Sequence, residues 1–270
     1  RLLLIGVAAP YWASPAAGLE SRVMNMSEQS RACLVVGAGD GVGGAIARAF
    51  AAEGFEVCVT RRARNLARLE ELARAIRDAG GKAHAFGVDA RSEEEMSELF
   101  ARIEREIGPL EVVVFNIGAN VRFEIRETSA RVFTKVWEMA CFAGFLTGRE
   151  AAKVMVPRAA GTILFTGATA SVRGAAGFAA FAAAKSGLRA VAQSMARELG
   201  PQGIHVAHVV IDGAIDGTFI RSIRSDVDEL SARDELLKPE QIAQSFVWLH
   251  KQARSAWTHE LDLRPWAERF

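Results

Sequence analysis

The sequence predicts an α/β fold, a single doubly wound domain around a central parallel sheet of about seven strands. Short apolar runs without polar alternation recur along the chain, each followed by a stretch of helical periodicity. Strands of that kind suit a sheet buried on both faces. A glycine-rich turn over 37–44 lies between the first such run and the first helix, the junction at which doubly wound sheets bind their ligands.

The elements follow in order. Cys33–Val36 is the first strand and Val42–Glu53 the first helix. Phe55–Thr60 is a strand, and Arg64–Ala79 a helix with Leu66, Leu69 and Leu72 on one side. Lys82–Val88 is a strand. Ser92–Ile107 is a helix that opens on Ser92 as N-cap with acidic residues in its first turn, where they complement the helix dipole. Val112–Asn116 is the fourth strand, and a long helical region spans about Ser129–Met155. Thr162–Thr166 is the fifth strand, Phe178–Leu199 an alanine-rich helix and His205–Ile211 the sixth strand. A helix over Pro239–Lys251 starts with proline at a favoured position, and Glu260–Leu263 closes the sheet.

A chain of 270 residues with half of them hydrophobic can bury a large core. The net charge of +1 gives no sequence-wide pull toward nucleic acid or an anionic membrane surface. Cys33, Cys58 and Cys141 are too far apart for a metal-ligand set and odd in number for a disulfide framework, which suits a reducing compartment and a cytoplasmic location. Residues 1–25 carry a charge, a short apolar run and small residues. They are set apart as a disordered extension, either an over-extended start or a leader. The domain is expected over 26–270, without a membrane span.

The turn after the first strand holds Gly37, Gly39, Gly41, Val42, Gly43 and Gly44. Glycines there let the backbone approach a pyrophosphate, and the helix behind offers N–H groups to the anion. Gly39, Gly41 and Gly44 satisfy G-x-G-x-x-G, while Gly37, Gly41 and Gly43 satisfy G-x-x-x-G-x-G. At the first βα junction of an alternating chain, both indicate a Rossmann-type dinucleotide site. The second strand ends in Arg61 and Arg62 rather than an acidic residue. Guanidinium groups pair with a ribose 2′-phosphate, so NADP(H) is favoured over NAD(H), with Asp40 in the loop opposing that choice.

Over about residues 31–265 the chain resembles the short-chain dehydrogenase/reductase family. The loop Gly37-x-x-x-Gly41-x-Gly43, Asp89 at the end of the third strand, Phe115-Asn116-Ile117-Gly118 and Asp212-Gly213-Ala214-Ile215 carry the resemblance, together with Phe181-x-x-x-Lys185. It implies cofactor contacts from Asp89, Asn116, Gly118, Lys185, Gly213 and Ile215, a substrate lid around 212–239, and a homodimer or homotetramer. It also implies a catalytic tetrad of Asn, Ser, Tyr and Lys. Only Lys185 is present: Ala140, Ala168 and Phe181 occupy the other three positions, with Cys141 one residue from the Asn position. The chain's one tyrosine, Tyr11, precedes the domain.

Other groups are weighed beside these. Thr166, Thr169 and Ser171 surround the vacated Ser position, and Lys185 is an acid in principle if burial lowers its pKa. Asp212 and Asp216 read as turn residues, His205 and His208 as core histidines, Cys141 as inert packing, and Trp248, Trp257 and Trp266 as core or interface anchors. Two functions remain open. One is an NAD(P)(H)-dependent oxidoreductase with a non-standard site acting on an unknown small molecule; the other is a nucleotide-binding homologue without turnover, serving as sensor or partner subunit.

Overall fold

A computed structural model describes residues 30–268. The extension 1–25 and the expected domain ends at 26–29 and 269–270 lie outside the described residues. Seven strands form one sheet: β1 (Ala32–Val36), β2 (Glu56–Arg61), β3 (Lys82–Gly87), β4 (Leu110–Phe115), β5 (Gly161–Thr166), β6 (Ile204–Ile211) and β7 (Glu260–Leu263). Their order is β3-β2-β1-β4-β5-β6-β7, and all neighbours run parallel. The order reverses between β1 and β4, which opens a crevice at their carboxyl ends.

Side-chain alternation sorts the sheet into two cores. Cys33 and Val35 of β1 and Ala207, Val209 and Ile211 of β6 pack toward helices α1 (Val42–Ala52), α2 (Leu66–Asp78) and α9 (Pro239–His250). Leu34 and Val36, with Val113 and Phe115 of β4, pack on the other face toward α3 (Glu93–Glu106), α5 (Ala143–Met155) and α6 (Ala179–Leu199). The N-cap of α3 forms as expected, with Ser92 Oγ accepting from Glu95 N at 3.2 Å. Among the described residues, no helix is long and apolar enough to cross a membrane, and no three His, Cys, Asp or Glu side chains gather as a metal site.

One region departs from the expected elements. The long helix expected over Ser129–Met155 is interrupted: α4 (Ala130–Trp137) passes through a π-helical turn, Glu138–Phe142, into α5. The inserted residue shifts the helix phase at Ala140 and Cys141, a change that propensity alone does not specify. The segment 212–239 folds into two short helices, α7 (Thr218–Ile223) and α8 (Val227–Ala232). Arg221 binds Asp216 and Asp228 there, at 2.8 and 2.7 Å. The tryptophans divide: Trp257 stacks on His205 with ring centroids 4.9 Å apart, whereas Trp248 and Trp266 are exposed.

His205 and His208 lie in the core as expected. His208 Nδ1 faces Glu260 Oε2 at 3.1 Å, and Glu260 receives Arg189 Nε and Nη2 at 2.6 and 2.7 Å. Burial lowers His208 to about 4, so protons bind the unfolded chain, at about 6.5, before the folded one. His208 therefore contributes stability that is present above pH ~6.5 and is lost as pH falls toward ~4. Chemical denaturation at pH 7 and pH 5 should show a drop of about 2 kcal/mol from this residue, and His208→Gln should make the slope shallower.

Candidate functional site

The site lies along the carboxyl ends of β1, β2, β4 and β5. The turn after β1 is built by close approach. Gly37 has φ +92°, and a Cβ on Gly43 would stand 2.6 Å from Gly37 O and 2.7 Å from Asn116 Nδ2. Asn116 Nδ2 donates to Gly37 O at 3.2 Å, which ties the end of β4 to the turn. A Cβ on Gly41 would meet nothing within 4 Å. The loop is therefore packed from behind at Gly43 and open in front at Gly41, the form of a phosphate cradle.

Two cavities flank this turn and share Asn116, Ile117 and Gly118 in their walls. The first, about 300 Å³, has Gly37, Arg61, Arg62 and Asp89 in its wall. Arg61 arches over the loop, its Nη1 being 3.0 Å from where a Gly39 Cβ would lie. Asp40 is exposed and stands outside both cavity walls. Asp89 accepts from Arg91 Nε at 2.9 Å and Nη2 at 2.5 Å, and those bonds hold its carboxyl below the usual range. Arg91 is a wall residue that the sequence reading missed. Its offset of two from Asp89 was the available signal.

The second cavity, about 490 Å³, has Val42, Gly213 and Ile215 in its wall with Ala168, Phe178, Phe181 and Lys185. Lys185 is fully enclosed in the fold, and its Nζ donates to Thr166 O at 2.8 Å and Ile117 O at 3.0 Å. Burial lowers it to about 7. Phe181, one turn earlier on α6, packs with Ala140, Cys141, Ala170 and Ala184, with Ala168 beside them. The three positions at which the resemblance implies polar groups thus meet in one apolar cluster. Burial pushes the Cys141 thiol up, which keeps it protonated and inert.

The hydroxyls near Ala168 divide in use. Thr169 Oγ1 donates to Asp212 Oδ1 at 2.6 Å, and Ser171 Oγ accepts from Ala168 N at 3.1 Å. Thr166 Oγ1 is buried without a hydrogen-bond partner among the described residues. Asp212 is buried and is more than a turn residue: Arg173 Nη2 lies 3.5 Å from one oxygen and Arg264 Nη2 3.4 Å from the other. Arg173, also in the cavity wall, was not foreseen.

A family model described as short chain dehydrogenase matches residues 31–228. The chain belongs to the short-chain dehydrogenase family. It is 34% identical over 179 residues to a short-chain dehydrogenase/reductase from Armillaria gallica, covering 66% of this chain and 69% of that protein. It is also 34% identical over 197 residues to the 3-oxoacyl-[acyl-carrier-protein] reductase MabA of Mycobacterium avium, 72% of this chain and 71% of that one. Among solved structures, a short-chain dehydrogenase from Rhodopseudomonas palustris is 48% identical with a TM-score of 0.75, over 87% of this chain and 99% of that chain. A single-site variant of actinorhodin polyketide ketoreductase with NADPH is 26% identical with a TM-score of 0.79, over 87% and 96%. Members of this family bind NAD(P), and the open Gly41 face beside the Arg61 guanidinium fits such a dinucleotide.

The turn's geometry sets apart two glycine substitutions. Gly43→Ala should cost about 1–3 kcal/mol through overpacking and lower the melting temperature by several degrees, whereas Gly41→Ala should leave it within about a degree. Thermal melts of the two variants beside the wild type make the comparison.

Proposed function

We propose that this protein is an NADP(H)-dependent oxidoreductase whose active site works without the hydroxyl and amide groups common in its family. One observation carries the reading: an open phosphate cradle bordered by two arginines continues, past Asn116 and Gly118, into an apolar cavity with Lys185 in its wall. Gly37, Gly39 and Gly41 hold the diphosphate side, and Gly43 supports the turn from behind. Arg61 and Arg62 receive the 2′-phosphate. Asp89 takes the adenine side, and Asn116, Gly118, Val42, Gly213, Ile215 and Lys185 take the nicotinamide side. When bound, the nicotinamide supplies or accepts a hydride. The chain orients the substrate, excludes water from the cavity and moves the proton. The apolar walls suit a small molecule with an apolar body.

The choice of NADP(H) rests on Arg61 and Arg62 in the wall and Asp40 outside it. Calorimetric titration should give micromolar binding of NADPH and weaker binding of NADH. Arg61→Ala with Arg62→Ala should reduce NADPH affinity by roughly 10–100-fold, the worth of one or two charge-assisted bonds, and leave NADH nearly unchanged. Equal binding of the two nucleotides by the wild type contradicts the assignment.

A second reading, a nucleotide-binding protein without turnover, is favoured by Ala140, Ala168 and Phe181 together. Losing a positioned acid costs on the order of 10²–10⁴ in rate, and losing an oxyanion donor a similar factor. The pair Phe181→Tyr and Ala168→Ser separates the readings. A double variant that gains broad carbonyl reduction while the wild type shows none supports the non-catalytic reading. A wild type that turns over, and is slowed by the restoration, supports the altered site.

A homodimer or homotetramer is part of the same proposal. Phe133, Trp137 and Phe145 on α4 and α5 are each about 40% exposed. Phe142 bridges Trp137 and Phe145, at centroid distances of 5.9 and 6.2 Å. This aromatic stripe, beside the alanine-rich α6, is suited to burial against a second copy. Light scattering should give a mass of two or four chains; 29.1 kDa, the mass of one, contradicts it. A cytoplasmic location belongs to this reading and rests on three free, buried cysteines.

A further inference from the structure

The cavity beside Lys185 contains few groups that exchange a proton. Among the described residues of its wall, Arg173 and Lys185 ionise, and a guanidinium keeps its proton in proteins. The nearby hydroxyls do not substitute. Thr169 already donates to Asp212, Ser171 is held at Ala168 N, and the enclosed Thr166 hydroxyl has no base beside it among the described residues. Phe181, which shares the wall, carries no exchangeable proton.

The anchoring of Lys185 fits both protonation states. Its Nζ donates to two backbone carbonyls, Thr166 O at 2.8 Å and Ile117 O at 3.0 Å. An ammonium has three N–H donors, so one is left over. A neutral amine retains two N–H groups and a lone pair. Loss of the third proton therefore breaks neither hydrogen bond and requires no rearrangement of the chain.

The groups around it do not lock the charge in place. Cys141, from the π-helical turn, is a buried thiol that burial keeps protonated. His208, from β6, is neutral above about pH 4. Glu260 on β7 lies beyond His208 and is paired with Arg189 of α6. The segments that meet Lys185 at Thr166 and Ile117 offer it carbonyls rather than carboxylates.

We propose that Lys185 is the acid of this site, its third N–H supplying the proton that Phe181 cannot give. The inference rests on the oxidoreductase reading above and adds the proton source to it. Bound NADPH would supply the hydride to the carbon of a substrate C=O or C=N bond and become NADP+. The π pair moves onto the heteroatom, and that atom takes the proton from Nζ. The neutral amine keeps its two carbonyl bonds and is reprotonated from water. In the oxidising direction the lone pair receives the substrate proton. Because burial brings Nζ to about 7, both forms are populated near neutrality, as acid–base work requires.

Two measurements on the full chain test this. NMR of the lysine side-chain Cε resonances across pH, with the Lys185 signal assigned by its loss in Lys185→Arg, reads the amine without chemical access to it, with exposed Lys82 as internal reference. The expected midpoint for Lys185 is about 7, against about 10 for an exposed lysine. Single-turnover oxidation of bound NADPH by an activated α-diketone should slow roughly tenfold per pH unit above that midpoint. Lys185→Arg, which keeps the charge and holds its proton, should lose the pH dependence and, at saturating NADPH, turn over at least roughly 100-fold more slowly. A midpoint of 10 or above, or Lys185→Arg reacting at the wild-type rate, overturns the inference. Failure of the oxidoreductase reading is seen separately, as NADPH that does not bind or that binds and is not oxidised at any pH.

Discussion

The buried amine of Lys185 joins the parts of this site. Its bonds to Thr166 O and Ile117 O tie α6 to the ends of β5 and β4 at once. From there, Asn116 Nδ2 reaches Gly37 O and carries the connection to the turn after β1. The crevice at the reversal of strand order is thus held open by a short chain of hydrogen bonds to backbone carbonyls. A buried polar group left without a partner costs about 1–3 kcal/mol, so each bond in this chain resists displacement. The two cavities stay in register because they share the residues so held.

Beside that amine lies a closely packed apolar cluster. Phe181 fills its place in a cluster with Ala140, Cys141 and Ala170, so the helix, the π-helical turn and the end of β5 still close on one another. An apolar cluster of this kind gives a low local dielectric. That raises the cost of keeping Lys185 charged, and the lowered pKa of Nζ follows from the same burial.

Much of this was legible in the sequence. Unalternated strands and the glycine turn indicated the sheet and its crevice, because each depends on local periodicity or on residue identity. The placement of Asp40 and Arg61 needed three dimensions: neighbours in the same region, one faces solvent and the other overhangs the loop. The π-helical turn was hidden because Ala130–Met155 reads as continuous helix, and tertiary packing decides where the extra residue goes. The ties of Asp212 to Thr169, Arg173 and Arg264 join residues up to 52 positions apart in the chain, a distance that pattern does not bridge. The exposure of Trp248 and Trp266 was likewise set by where α9 and the C-terminal segment meet solvent rather than by composition.

The most direct test of the account is a crystal structure of the protein grown with NADPH. The dinucleotide should lie along the strand ends, with its diphosphate over Gly41, its 2′-phosphate against Arg61 and Arg62, and its nicotinamide in the cavity beside Lys185. A cavity that remains empty of nucleotide at saturating NADPH, or a dinucleotide bound elsewhere on the molecule, contradicts it.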